Sequence, residues 1–170
     1  MEIKINGCSG FAFLNEKLFV VNYYSEYGWG YRTGNVDEAK AYGFGMIDDN
    51  YGIKKLYFLP IKDIAHTRGF ESVVCCKYKG YECYVHSYNA CDDKLFCLGI
   101  HPDLALAMGY NWNQIGHEML TIKVPLSDLD EIYRRREKLD DFIFDVDPIK
   151  PIYKDGKWLI EPDENGVYVI

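Results

Sequence analysis

Val73-Val74-Cys75-Cys76-Lys77-Tyr78-Lys79-Gly80-Tyr81-Glu82-Cys83-Tyr84-Val85-His86-Ser87-Tyr88 is a run of β-branched, aromatic and cysteine residues broken once, by Lys79-Gly80. Such side chains suit a pleated, half-buried surface, and a two-residue turn ending in glycine joins antiparallel strands. The stretch therefore predicts strands over Val73 to Tyr78 and Tyr81 to Tyr88. Lys94 to Ile100 adds a third beyond Asn89-Ala90-Cys91-Asp92-Asp93, which makes a meander. Alternation puts Cys83 on the face of Tyr81 and Val85, opposite His86.

Upstream, Ile3 to Ile5, Phe11 to Leu14 and Lys17 to Tyr23 read as strands, with Asn15-Glu16 as a tight turn. Ser25 to Gly34 sets three glycines among three large aromatics, a composition that neither helix nor strand favours, so an ordered loop is expected. Asn35 and Glu38 have capping-box spacing before a short helix over Asp37 to Tyr42, stopped by Gly43. Asp48 to Gly52 forms a turn cluster, and Ile53 to Leu59 reads as a strand ended by Pro60.

Downstream, Pro102 opens a short helix from His101 to Met108, and Glu118 to Val124 reads as a strand. Ser127 stands before Leu129, Ile132, Tyr133 and Arg136, with acids early and bases late, which predicts a helix to about Leu139. Phe142 to Val146 is expected as a strand, Pro151 to Lys154 and Lys157 to Ile160 as a hairpin about Asp155-Gly156, and Gly166 to Ile170 as an edge strand. This order lacks the strand-helix alternation that parallel sheets require. The expected fold is α+β, a single domain over 1–170, mainly antiparallel sheet in a meander and hairpins with two or three short helices packed on it.

Apolar residues make up 48% of the 170 and charged residues 26%, the balance of an ordered globular chain. Apolar runs such as Leu56 to Pro60 fall far short of the roughly 20 residues a bilayer-spanning helix needs, and the N-terminus reads as a charged strand, so a cytoplasmic placement away from membranes is expected. The six cysteines are then expected as reduced thiols. Formal net charge is −7, and residues 125 to 170 hold twelve acids against seven bases. A negative field repels phosphate backbones, which disfavours nucleic acid as a partner and favours a basic protein.

Motifs with specific chemistry are missing from the sequence. Gly28-Trp29-Gly30-Tyr31-Arg32-Thr33-Gly34 lacks the Lys-Ser/Thr pair of a P-loop and the G-x-G-x-x-G of a dinucleotide site. Cys83, Cys91 and Cys97 with His86 and His101 contain no close C-x2-C pair, which argues against zinc, and no other cofactor is indicated. His117-Glu118 is not followed by the second histidine of an HExxH helix. Glu71, Glu82 and Glu118 are candidate general bases with nothing in the sequence to single one out. Arg134-Arg135-Arg136, read on a helix, points in three directions and is expected to pair with Asp130, Glu131 and Asp140.

Two features suit recognition of another protein. Asp140, Asp141, Asp145 and Asp147 flank Phe142-Ile143-Phe144, and alternation would give an acidic face (Asp141, Ile143, Asp145) and a core face (Phe142, Phe144, Val146). Trp29, Tyr31 and Arg32 are residue types enriched in binding hot spots. The expectation is a non-catalytic binding module, an inhibitor of the immunity or antitoxin kind that neutralises a basic toxin domain, such as a nuclease, through these seven residues. The alternative is a small hydrolase or transferase with a His/Glu or Cys/His site at His101 or His117.

Overall fold

Glycines seat aromatic rings in a strand-rich chain whose computed structural model describes residues 8–48, 55–89, 95–115 and 118–160. In order, the elements are β1 (Cys8–Leu14), β2 (Lys17–Tyr24), β3 (Gly28–Thr33), α1 (Val36–Tyr42), β4 (Gly45–Asp48) and β5 (Lys55–Pro60). They are followed by β6 (Gly69–Tyr78), β7 (Tyr81–Asn89), β8 (Leu95–Ile100), α2 (Pro102–Ala107), β9 (Leu120–Pro125), β10 (Leu129–Lys138), β11 (Ile149–Lys154) and β12 (Lys157–Trp158). All pairings between these strands with an assigned register are antiparallel. Among the described residues two short α-helices form, and no helix is long and apolar enough to cross a membrane. The expected strands at Ile3 to Ile5 and Gly166 to Ile170 lie outside the described residues, as does most of the Asp48 to Gly52 turn cluster.

The chain divides into two compact units. The first comprises Ser9–Glu71 and Glu137–Val146, and the second Met1–Cys8, Ser72–Arg136 and Asp147–Ile170. The backbone passes from the first to the second within β6 and returns within β10.

In the first unit the strands run in the order β1-β2-β3-β5-β4. Asn15 and Glu16 both take positive φ, the conformation that matches a two-residue turn to the twist of β1 and β2. The expected loop at Ser25 to Gly34 is instead a turn at 25–27 followed by β3, which pairs with β2 and β5 on its two sides. The reason is Gly30. A side chain there would coincide with the Phe58 ring, so the missing Cβ gives Phe58 a seat on its neighbouring strand, edge-on to Tyr24 at 5.3 Å and beside Tyr27 at 5.9 Å. Phe58 is 2% exposed. The opposite face carries Phe19, Val21 and Tyr31, closed over by Ala39 of α1, Phe44, Leu139 and Phe142.

Helix α1 starts as its sequence predicts, with one change. Asn35 Oδ1 accepts from the backbone N–H groups of Asp37 and Glu38, and Gly43 ends the helix at φ 74°. The Glu38 side chain does not return to Asn35. It accepts from Thr33 Oγ1 at 2.7 Å and from Lys17 Nζ at 2.6 Å, while Thr33 Oγ1 accepts from the Asn35 N–H, so the box closes through Thr33 and ties α1 to β2 and β3.

In the second unit the order is β12-β11-β10-β6-β7-β8-β9. Lys79 and Gly80 (φ 51° and 81°) and Asp155 and Gly156 (φ 51° and 73°) form the expected hairpin turns. Val74, Cys76, Cys83, Val85, Phe96, Leu98, Ile100, Ile132 and Ile152 build the core, which Ala105 of α2 joins. Burial pushes the Cys83 thiol above its ordinary range and the Cys76 thiol well above it, so they act as small hydrophobes.

The helix expected over Ser127 to Leu139 is overturned: a short 3-10 turn at Leu126–Asp128 leads into strand β10, flanked by β6 and β11. Ile132, Tyr133 and Arg134 are all buried in succession, because both faces of β10 are covered. A strand covered on both faces leaves no period-two alternation to read, and the remaining spacing imitates a helix. The predicted arginine pairings fall with it. Arg135 pairs with Glu82, Glu131 binds Lys77 at 3.1 Å, and Asp140 serves Trp29. The expected strand over Phe142 to Val146 reduces to one bridge between Ile143 and Arg68.

Gly30→Ala should lower stability by about 1–3 kcal/mol or prevent folding, because the methyl overpacks the Phe58 seat. Gly34→Ala, with open space around it, should stay within about 0.5 kcal/mol; urea denaturation of both variants compares them directly. The bonds from Lys17 and then Thr33 hold the Glu38 carboxyl below its ordinary value of 4.5. A lowered folded pKa contributes stability that is present above that value and is lost as pH falls through the folded one. Glu38→Gln should therefore be less stable than the parent at pH 7, with the gap narrowing as pH falls below 4.5; a gap of constant size in urea melts as the pH is lowered through that value would refute the linkage.

Candidate functional site

The first unit gathers part of the acidic and aromatic set on one surface. In β3 alternation carries Trp29 and Tyr31 to the same face, opposite Arg32. Tyr31 lies inward: it is 5% exposed and its hydroxyl donates to the Phe13 carbonyl at 2.9 Å, so its ring is part of the core. Trp29 lies further along the strand, directly across from Tyr23 of β2, and is half-buried. Arg32 is exposed on the other side of the sheet and does not join it.

Trp29 is the hub of this surface. Its indole Nε1 donates to Asp140 Oδ2 at 2.9 Å, its ring meets Phe142 edge-on at 5.5 Å and 90°, and Tyr23 packs against it at 5.9 Å. Tyr23 is 63% exposed. Asp140 reaches the indole from a tight turn in which its own φ is +37° and the Phe142 N–H donates to the Leu139 carbonyl at 3.0 Å. Phe142 in turn rests on Gly69, whose missing side chain makes room for the ring. The turn thus sinks Phe142 and leaves Asp140, Asp141 and Ile143 exposed.

Asp145 is occupied differently. Arg68 donates to Asp145 Oδ2 at 2.6 Å, pairs with Glu16 at 3.3 Å and stacks over the Phe13 ring at 4.3 Å. The charge of Asp145 is thereby partly offset, whereas Asp141 stands exposed with its charge available to solvent. Asp147 belongs to the second unit, where its charge acts on Arg136. The sequence set of seven therefore resolves into Trp29, Asp140 and Asp141 with the unpredicted Tyr23; Tyr31, Arg32, Asp145 and Asp147 have other settings.

The residues weighed for catalysis are dispersed. His101 is exposed and lies 3.7 Å from Asp103, and His117 and Cys91 fall outside the described residues. His86 Nε2 contacts Met119 Sδ at 3.4 Å above Gly99. Glu82 accepts from the Tyr133 hydroxyl and from Arg135, and Glu118 is exposed. Among the described residues no three His, Cys, Asp or Glu side chains converge as metal ligands do.

Tyr23 escapes sequence reasoning because it ends an ordinary strand; only its pairing with Trp29 marks it. The Trp29–Asp140 bond spans 111 residues and has no local signature. No protein-family model, no curated protein and no solved structure matches the chain.

Asp140→Ala should cost about 1–2 kcal/mol, since it strands the indole N–H and places alanine at positive φ. Asp140→Asn keeps both an acceptor and tolerance of that φ and should stay within about 0.5 kcal/mol. Thermal melts of the two variants would separate a working hydrogen bond from incidental proximity.

Proposed function

We propose that the chain is a non-catalytic protein-binding module, an inhibitor of the immunity or antitoxin kind that acts in the cytoplasm on a basic toxin domain. The observation that carries this reading is the fixed Trp29 between exposed Tyr23 and the Asp140-Asp141 turn. Tryptophan and tyrosine supply large contact area with few torsions to freeze, which is why they dominate binding hot spots. Adjacent Asp140 and Asp141 beside them carry negative charge on the exposed turn, which suits a basic cleft built for nucleic acid. Since Trp29 is already held by its hydrogen bond and by Phe142, little ordering remains to be done on association.

The residues of the contact have separable roles in this proposal. Tyr23 and Trp29 supply affinity, while Asp140 both positions the indole and, with Asp141, steers the basic partner. Net charge of −7 over the whole chain adds a longer-range attraction that salt weakens.

The test is capture from lysate of the source cell by the parent chain, by Asp141→Lys and by Tyr23→Ala, at about 0.15 M and about 0.5 M salt. The expected result is a basic protein held in near-stoichiometric amount by the parent at the lower salt. Either substitution should reduce its capture at least tenfold without altering the melting curve. Equal capture by Asp141→Lys, or no protein held by the parent at either salt, would count decisively against the reading.

A further inference from the structure

The two faces of β8 have different surroundings. Phe96, Leu98 and Ile100 point into the core of the second unit, and alternation sends Cys97 and Gly99 to the other face. The β7–β8 register passes from Val85–Leu98 directly to Ser87–Cys97, so His86 is the extra residue of a β-bulge and stands with Ser87 opposite Cys97. A bulge re-aims a side chain, and this one carries the His86 imidazole over Gly99. Met119, the residue before β9, brings its thioether to the same spot. A Cβ on Gly99 would lie 2.1 Å from His86 Nε2 and 2.4 Å from Met119 Sδ, so the missing side chain is what admits both atoms.

Nε2 and Sδ are 3.4 Å apart. A metal ion bonded to an imidazole nitrogen at about 2.0 Å and to a sulfur at about 2.3 Å, with a near-tetrahedral angle between the bonds, holds its two donor atoms about 3.5 Å apart. The pair therefore already has the bite of two ligands on one ion. As a hydrogen bond alone the contact is a poor return on a bulge and a strand glycine, because a thioether is a weak acceptor. His86 is exposed and Met119 half-buried, so an ion can arrive from solvent without a cavity having to open. Cys97, a half-buried free thiol, supplies a third donor on this face. Side chains opposite each other across an antiparallel pair have Cβ atoms about 4.5–5.5 Å apart, which puts its sulfur within reach of an ion held by the His86 ring.

We propose that His86 Nε2, Met119 Sδ and Cys97 Sγ bind Cu(I). Thioether and thiolate are soft donors that select Cu(I), whereas zinc takes its sulfur from cysteine alone. On binding, the Cys97 S–H gives its proton to solvent and the sulfur becomes a ligand; the copper stays Cu(I) and no electron changes hands. The site has no local sequence motif, because its donors lie on three segments that only the β7-β8-β9 pairing brings together. It is independent of the acidic surface of the first unit, and either can fail alone.

The test is titration of Cu(I) into the reduced full chain without oxygen, with the chromophoric chelator bicinchoninate as competitor. The parent should withdraw copper from the chelator. Met119→Leu, which keeps the apolar bulk, His86→Gln and Cys97→Ser should each weaken that withdrawal by about tenfold or more while leaving the metal-free melting curve in place. Ag(I), a redox-inert stand-in, should shift the methyl resonance of Met119 alone among the four methionines. No withdrawal by the parent, parent-like affinity in any of the three variants, an unmoved Met119 methyl, or displacement of Cu(I) by an equal concentration of Zn(II) would overturn the site.

Discussion

The seating of a large side chain on a glycine of the neighbouring strand is the constraint on which each unit is built. Phe58 occupies the place a side chain would take at Gly30, Phe142 the place at Gly69, and His86 the place at Gly99. Each arrangement trades the conformational cost of a glycine in a strand for close approach of a ring to the backbone. The position of the ring then fixes what lies around it. Phe58 draws Tyr24 and Tyr27 over one face of the first unit, and Phe142 sets the turn from which Asp140 reaches Trp29.

The same trade explains which elements were legible. Asn15-Glu16, Lys79-Gly80 and Asp155-Gly156 announce their hairpins because two successive positive φ values demand particular residue types or tight loops, and those are local facts. The cap of α1 is equally local, since Asn35 and Gly43 both sit within one turn of the helix they bound. Strand β3 was hidden because Gly30 is there for Phe58, 28 positions later in the chain. Strand β10 was hidden because both of its faces are covered, so three successive residues are buried where a two-sided alternation was sought.

The surface around Trp29 shows the limit of reading charge and aromatic content alone. Composition pointed to tryptophan, tyrosine and a run of aspartates, but not to which of them share a face. Alternation within β3 separates Trp29 from Arg32, the core claims Tyr31, and Arg68 claims Asp145. Arg134-Arg135-Arg136 was legible only as three bases in a row; strand β10 sends Arg134 and Arg136 to one side, where Lys150 of β11 stands opposite Arg134.

The buried thiols of the β6–β7 hairpin carry a consequence of a different kind. Cys75, Cys76 and Cys83 lie within one meander, inaccessible to solvent, and burial holds Cys76 and Cys83 as protonated thiols. An alkylating reagent needs a thiolate it can reach, so these sulfurs react only in molecules whose hairpin has come apart. The unlabelled protein thus carries its own clock: the rate at which these cysteines are modified reports how often the central strands of the second unit open, independently of any partner or ligand.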